Sequence, residues 1–195
     1  GLRNPQDLVF DEHGNLFTGH NNADGGDRAR WVHVVEGGDS GYRYGYQWIG
    51  EPHLRGPWNE EKLWHPHFAG QAAYVVPPVA WLGSGPSGIT VHPGTGLTDE
   101  QRGRFFTCDF TGDAGSAAIL SFPLTPKGAS FEPGTVEKFV TGILPTDVDF
   151  GFDGALWWLD WVHGWTTTGK GRIGRVTPSA ASRPADVERT ARLMR

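Results

Sequence analysis

Cysteine is almost missing from this 195-residue chain, and the single Cys108 allows no internal disulfide. It also leaves no Cys-x-x-Cys-His site, so the chain cannot itself attach haem covalently. Long apolar runs are absent; the longest are about five residues, far short of a membrane helix. No charged segment followed by an apolar one opens the chain, so no signal peptide is read there, as in any mature exported protein. Positive charge is scarce, with 17 Lys and Arg against 22 Asp and Glu and a net charge of -5. Without a basic stripe, nucleic acid is not an expected partner.

What the chain has in quantity is glycine (29), proline (14) and tryptophan (9). Gly and Pro punctuate short apolar runs throughout, the composition of a turn-rich all-β protein. The abundant aromatics argue against disorder, and the length suffices for a substantial core.

Three segments share one pattern: PQDLVFDEHGNLFTG from Pro5, PSGITVHPGTGL followed by GRFFTCDF from Pro86, and PTDVDFGFDGALWWLDW from Pro145. Each runs from Pro through a small or acidic residue into an alternating strand, a turn with Asp, His or Gly, and an aromatic-rich strand. Leu8 with Phe10, and Val148 with Phe150, are expected to be the half-buried positions. A third strand is predicted after each hairpin, at RWVHVVEGG, AAILSFPL and GRIGRVTP, and a fourth at VEKFVTGIL. Strand, hairpin, strand, strand is the unit of a propeller blade. The predicted fold is therefore an all-β partial β-propeller over residues 1–178. Its blades fall near 1–85, 86–143 and 144–178, with a loop insertion at 42–85. Residues 179–195 read as a linker and the start of a helical segment, with Pro184 placed for a first turn. Three blades do not close a ring of roughly 4 to 8. The remainder of the propeller is expected from the same polypeptide or from other chains.

Several clusters suit chemistry, and each has a bland alternative. In GLRNPQD, Arg3 offers a fork suited to carboxylates, or else pins the blade turn through carbonyls. The oxygen-rich GHNNADGGD segment suits Ca²⁺ through Asp24 and Asp27, or is a solvated turn. The insertion carries Trp48, Trp58 and Trp64, side chains suited to a sugar or ring-shaped ligand, or to packing on their own blade. His65 and His67 there are spaced like a metal pair, without a visible third ligand. Asp160 near His163 could orient a general base, or tie strands together. Cys108, in an apolar strand, reads as a small buried hydrophobe.

The segment GLRNPQDLVFDEHGNLF, with VVEGGDSGYRYGYQW, PSGIT and the final TDVDFGFDGALWWLDW, resembles the glucose/sorbosone dehydrogenase family. Its members are six-bladed propellers that use pyrroloquinoline quinone and Ca²⁺. NNADGGDRARWVHVVEGGDSGYRYGYQW, GPWNEEKLWHPH, PKGASFE and GKGRIGRV are more closely similar to the planctomycete-type membrane-bound dehydrogenase (PVC-type haem-binding) family. That family joins such a propeller to helical repeats and often to a c-type haem domain. The resemblance implies an exported, periplasmic oxidoreductase acting on a small sugar or alcohol. Arg3 and Asn4 match its quinone-contacting positions, and Asp24 and Asp27 lie in its Ca²⁺ loop. Its catalytic His belongs to an earlier blade, so this chain alone is expected to be catalytically incomplete. The alternatives are a non-catalytic scaffold or carbohydrate-binding propeller, and a metal-dependent lactonase-like hydrolase.

Overall fold

Alternating side chains along short strands need a partner sheet on each face, and the described residues form three blade sheets stacked side by side, with a separate two-stranded hairpin. The structure, a computed structural model, describes residues 1–22, 28–42, 62, 67–72, 75–179 and 185–193. The first sheet runs β1 (Leu8–Phe10), β2 (Leu16–His20), β3 (Arg30–Val34) and β4 (Ala80–Trp81) from its inner edge outward. The second starts with β5 (Pro86–Val91), β6 (Phe105–Asp109) and β7 (Ala118–Phe122). A hairpin of β8 (Leu124–Lys127) and β9 (Ser130–Pro133) then projects, and β10 (Glu137–Thr141) returns to pair with β7. The third sheet is β11 (Pro145–Phe150), β12 (Leu156–Asp160) and β13 (Arg172–Val176), followed by the helix α1 (Ala185–Leu193). All these strand pairings are antiparallel. With a fourth strand in two of the sheets and one C-terminal helix, this is the expected partial propeller.

Local chemistry sets the hairpins. Between β1 and β2, Asp11 Oδ1 accepts the N–H groups of His13 (2.9 Å) and Asn15 (2.8 Å), and Gly14 takes the positive φ of 83° that closes the turn. The fourth strand of blade 1 differs from expectation. Ala80–Trp81 lies inside the segment read as an insertion, yet it pairs with Arg30 and Trp31.

Two cores lie between the blades. Phe17, Trp31, Leu82, Ile89, Phe105 and Phe122 interlock between blades 1 and 2. Leu97, Phe106, Cys108, Ile119, Val148 and Leu156 fill the space between blades 2 and 3. Blade 2 is therefore buried on both faces, with Phe105 in one core and Phe106 in the other, and β6 and β7 are buried along almost their whole length. Burying each such side chain stabilises the fold by about 1.5–3 kcal/mol. Leu8 and Phe10 break the expected pattern: they are 56 % and 61 % exposed, while Val9 packs inward. They share the register of Ile89 and Val148, which face the preceding blade, and no described residue covers that face of blade 1.

The helix docks at the ends of β5 and β11 that lie away from their starting prolines. Val187 is buried against Gly154, and Asp186 accepts a hydrogen bond from Arg102 at 2.8 Å.

Candidate functional site

The prolines that start the inner strands bring three rims together. Around them opens a cleft of about 730 Å³. Blade 1 contributes Arg3 and Asn4, blade 2 contributes Ser84 and Thr111, and blade 3 contributes Thr146 and Trp161. The cleft thus collects the entries of the inner strands and the exits of the second strands, a place where a ring of blades presents loops to a ligand.

Arg3 is positioned from two sides. Its backbone N–H donates to His20 Nδ1 at 3.0 Å. Its Nη1 donates to the carbonyl of Asn22 at 2.8 Å and to Asn22 Oδ1 at 3.4 Å. Asn4 Oδ1 accepts from Gln6 Nε2 at 2.8 Å. His20 is fully buried, and Arg30 Nη2 approaches its Nε2. Burial first, then the charges of Arg30 and Arg3, push its pKa down to about 3, so the imidazole is neutral and serves as an acceptor. Arg3 also couples the cleft to the start of the oxygen-rich segment, because Asn22 immediately precedes residues 23–27.

The aromatic wall comes from blade 3. Trp165 packs edge-on against Phe110, with ring centroids 5.1 Å apart, and lies over Gly112, where any side chain would collide with the indole. Trp161 follows β12, and its Nε1–H is buried with no acceptor among the described residues. Asp160 anchors this turn. Its Oδ1 accepts Leu144 N (3.0 Å) and Val162 N (2.8 Å), and its Oδ2 accepts Arg172 Nε (2.9 Å) and Nη2 (2.6 Å). Burial alone would raise the Asp160 pKa, but these donors hold it below the ordinary carboxylate value. Val162 has a φ of 79°, a strained conformation for a β-branched residue, and it lies between the two tryptophans.

The expected site residues separate into three groups. Arg3 and Asn4 line the cleft, as do Asn21 and Asn22. Asp24, Asp27, Trp48, Trp58 and Trp64 lie outside the described residues, as does His65. Asp160 is a strand tie: its oxygens are taken by Leu144, Val162 and Arg172, while His163 is exposed. Cys108 is a buried thiol, and burial raises its pKa. Among the described residues no group of three His, Cys, Asp or Glu side chains is gathered for a metal ion. Sequence reasoning missed Trp165, Phe110 and Ser84 as cleft residues. The repeated Pro-start of the three blades was the signal, since residues flanking it must share a rim.

No family model matches the chain, and no curated protein does. Solved structures do. A glucose dehydrogenase-type oxidoreductase from Thermus thermophilus is 20 % identical with a TM-score of 0.59; the match covers 89 % of this chain and 45 % of that one. A second structure, described as glucose dehydrogenase, is 19 % identical with a TM-score of 0.61, covering 92 % and 46 %. A third of the same description is 18 % identical with a TM-score of 0.54, covering 92 % and 42 %. The chain therefore spans less than half the length of these structures. Its fold is that of a partial propeller of the glucose dehydrogenase type.

Proposed function

We propose that this chain forms one wall of the cofactor cleft in an exported, quinone- and calcium-dependent sugar or alcohol dehydrogenase-like propeller. The observation that carries the reading is Arg3, held by His20 and Asn22 at the rim of an aromatic-walled cleft. Pyrroloquinoline quinone is a flat ring system with carboxylates, and when bound it would supply the hydride acceptor. The residues fit one part of it. Arg3 offers a guanidinium charge for a carboxylate, Asn4 an amide, Trp161 and Trp165 aromatic surface, and Trp161 Nε1–H a donor with no acceptor among the described residues. Arg3 is the one charged side chain among the described cleft residues, so further carboxylates would need cations from other parts of the propeller. Ca²⁺ is assigned to the segment with Asp24 and Asp27, beyond the Asn22 carbonyl that Arg3 holds. A c-type haem domain is the proposed electron acceptor, from the sequence resemblance.

Adding quinone and Ca²⁺ to the purified protein should produce a saturable absorbance change and dye reduction by aldoses or alcohols. Neither signal appearing would contradict the reading. A second reading, a non-catalytic carbohydrate-binding propeller, is favoured by the same near-neutral lining of indole, amide and hydroxyl groups. Aldose binding without quinone, and without dye reduction, would select it.

A further inference from the structure

Helix α1 rests on the turn that follows β5, and one side chain clamps that turn. His92 is buried, and its Nδ1 accepts the N–H of Gly94 at 3.0 Å. Its Nε2 lies 2.9 Å from the Gly96 carbonyl oxygen. Only a neutral imidazole with its proton on Nε2 satisfies both partners, because a proton on Nδ1 would face the Gly94 N–H. The turn needs such a clamp. Leu97, at its end, is buried with a φ of 41°, a conformation that persists only where the surroundings impose it.

The two ends of the turn carry the contacts of the helix. At one end the Gly94 carbonyl accepts from Arg102 Nη1. The same guanidinium donates to Asp99 Oδ1 and, on α1, to Asp186 Oδ2, each at 2.8 Å. At the other end Gly96 lies against Gly154; a Cβ on Gly96 would stand 2.5 Å from the Gly154 carbonyl oxygen, which accepts the Leu97 N–H at 3.3 Å. Gly154 in turn abuts Val187, the one buried side chain among those described on α1. Nine residues are too few for a helix to sustain itself in water, so the order of α1 depends on these contacts.

We propose that residues 92–97 are an acid-sensitive latch for α1: the helix docks while the His92 imidazole is neutral, and a proton on Nδ1 opens the turn and releases it. The groups facing the ring are Phe150 from β11, edge-on at 5.1 Å, Arg102 from the turn after the 3₁₀ segment Asp99–Gln101, and Asp186 from α1. Burial, the largest influence, and the Arg102 charge oppose protonation; the Gly96 carbonyl and the Asp186 charge favour it, and the balance lies below the ordinary 6.5. The docked form therefore resists the proton. The latch is fully closed above pH 6.5 and loosens as pH falls below it.

Hydrogen–deuterium exchange at pH 7.5 and 5, each rate divided by the intrinsic rate at that pH, tests this. Protection of residues 185–193 should fall at least about fivefold on acidification, with β6 the slower to exchange at both pH values, as a local opening requires. His92→Asn offers an amide oxygen to the Gly94 N–H and cannot titrate, so its fall should be under about twofold. Arg102→Gln cuts the tie to Asp186 and should leave α1 poorly protected at both pH values. In the unmodified protein, the His92 ring signals followed by NMR should titrate with the same midpoint as the loss of α1 protection. Separate midpoints, or an equal fall in His92→Asn, would overturn the role of His92. Unchanged protection at pH 5 would overturn the latch. So would increased protection, which would place the charged ring on Asp186 Oδ1, buried and without a partner among the described residues. Equal protection of α1 and β6 would mean that the helix opens only with the whole fold, and would overturn it as well.

Discussion

Lowering the pH from 7 to 5 should remove about 2 kcal/mol of stability through His20 alone. The imidazole is buried, its Nδ1 accepts the Arg3 N–H, and its folded pKa is about 3 against an ordinary 6.5. The sign follows from which state binds the proton. Below pH 6.5 the unfolded chain protonates His20 and the folded chain does not, so the stability present above 6.5 is lost as pH falls toward 3. At pH 5 the unfolded state is favoured by about 1.5 pH units of proton binding, or about 2 kcal/mol. For a chain of this size that is a fall in Tm of about 4–8 °C. Urea denaturation at pH 7, 6 and 5 reads it directly. His20→Asn places an amide oxygen near the Nδ1 position, so the acceptor for Arg3 is kept and the titration removed. The variant should therefore show a flatter dependence than the unmodified protein. His92, also held below its ordinary value by burial, leaves a smaller residual slope of the same sign. An identical slope in both proteins would refute the buried-acceptor account of His20.

The other predictions concern the junctions and the rim. Gly88→Ala drives a Cβ into the Asp147 backbone and should cost about 1–3 kcal/mol by chemical denaturation, against about 1 kcal/mol at the open turn residue Gly14. Asp160→Ala strips acceptors from Leu144 N–H, Val162 N–H and Arg172, and should cost about 3 kcal/mol in the same assay. Val162→Gly relieves the positive φ and should raise stability by about 1 kcal/mol, while loosening the turn between Trp161 and Trp165 and weakening ligand binding. Equal or lower stability in Val162→Gly would show that the turn is not strained.

Much of the fold was legible because blade chemistry is local. A Pro-start, an Asp or Gly turn and an aromatic second strand lie close together in the chain, from Pro5 to Gly19, Pro86 to Phe110 and Pro145 to Trp161, and each such segment forms the predicted hairpin. The reading failed where a neighbour decides. Alternation placed Leu8 and Phe10 on an inward face, but which face is covered depends on the adjacent blade, and Val9 is the residue that meets one. The Ala80–Trp81 strand is only two residues long and pairs across nearly fifty residues of chain with β3, leaving little local signal. The site was half legible for the same reason. Arg3 and Asn4 stand out as a motif, whereas Trp165 joins them only because three blades converge. For Asp160 the sequence leaves an acid–base pair and a strand tie both open, because its partners Leu144 and Arg172 are distant in sequence and only the fold brings them together.

The central claim is that Arg3 holds an anionic, planar cofactor at the rim of the cleft. A fluorescence titration with pyrroloquinoline quinone tests it most directly, because Trp161 and Trp165 line the same cleft. Saturable quenching is predicted for the unmodified protein, with affinity reduced at least tenfold, about 1.4 kcal/mol, in Arg3→Ala. Trp165→Phe should lose part of the quenching amplitude. Equal affinity in Arg3→Ala, or no quenching at any quinone concentration, would contradict it.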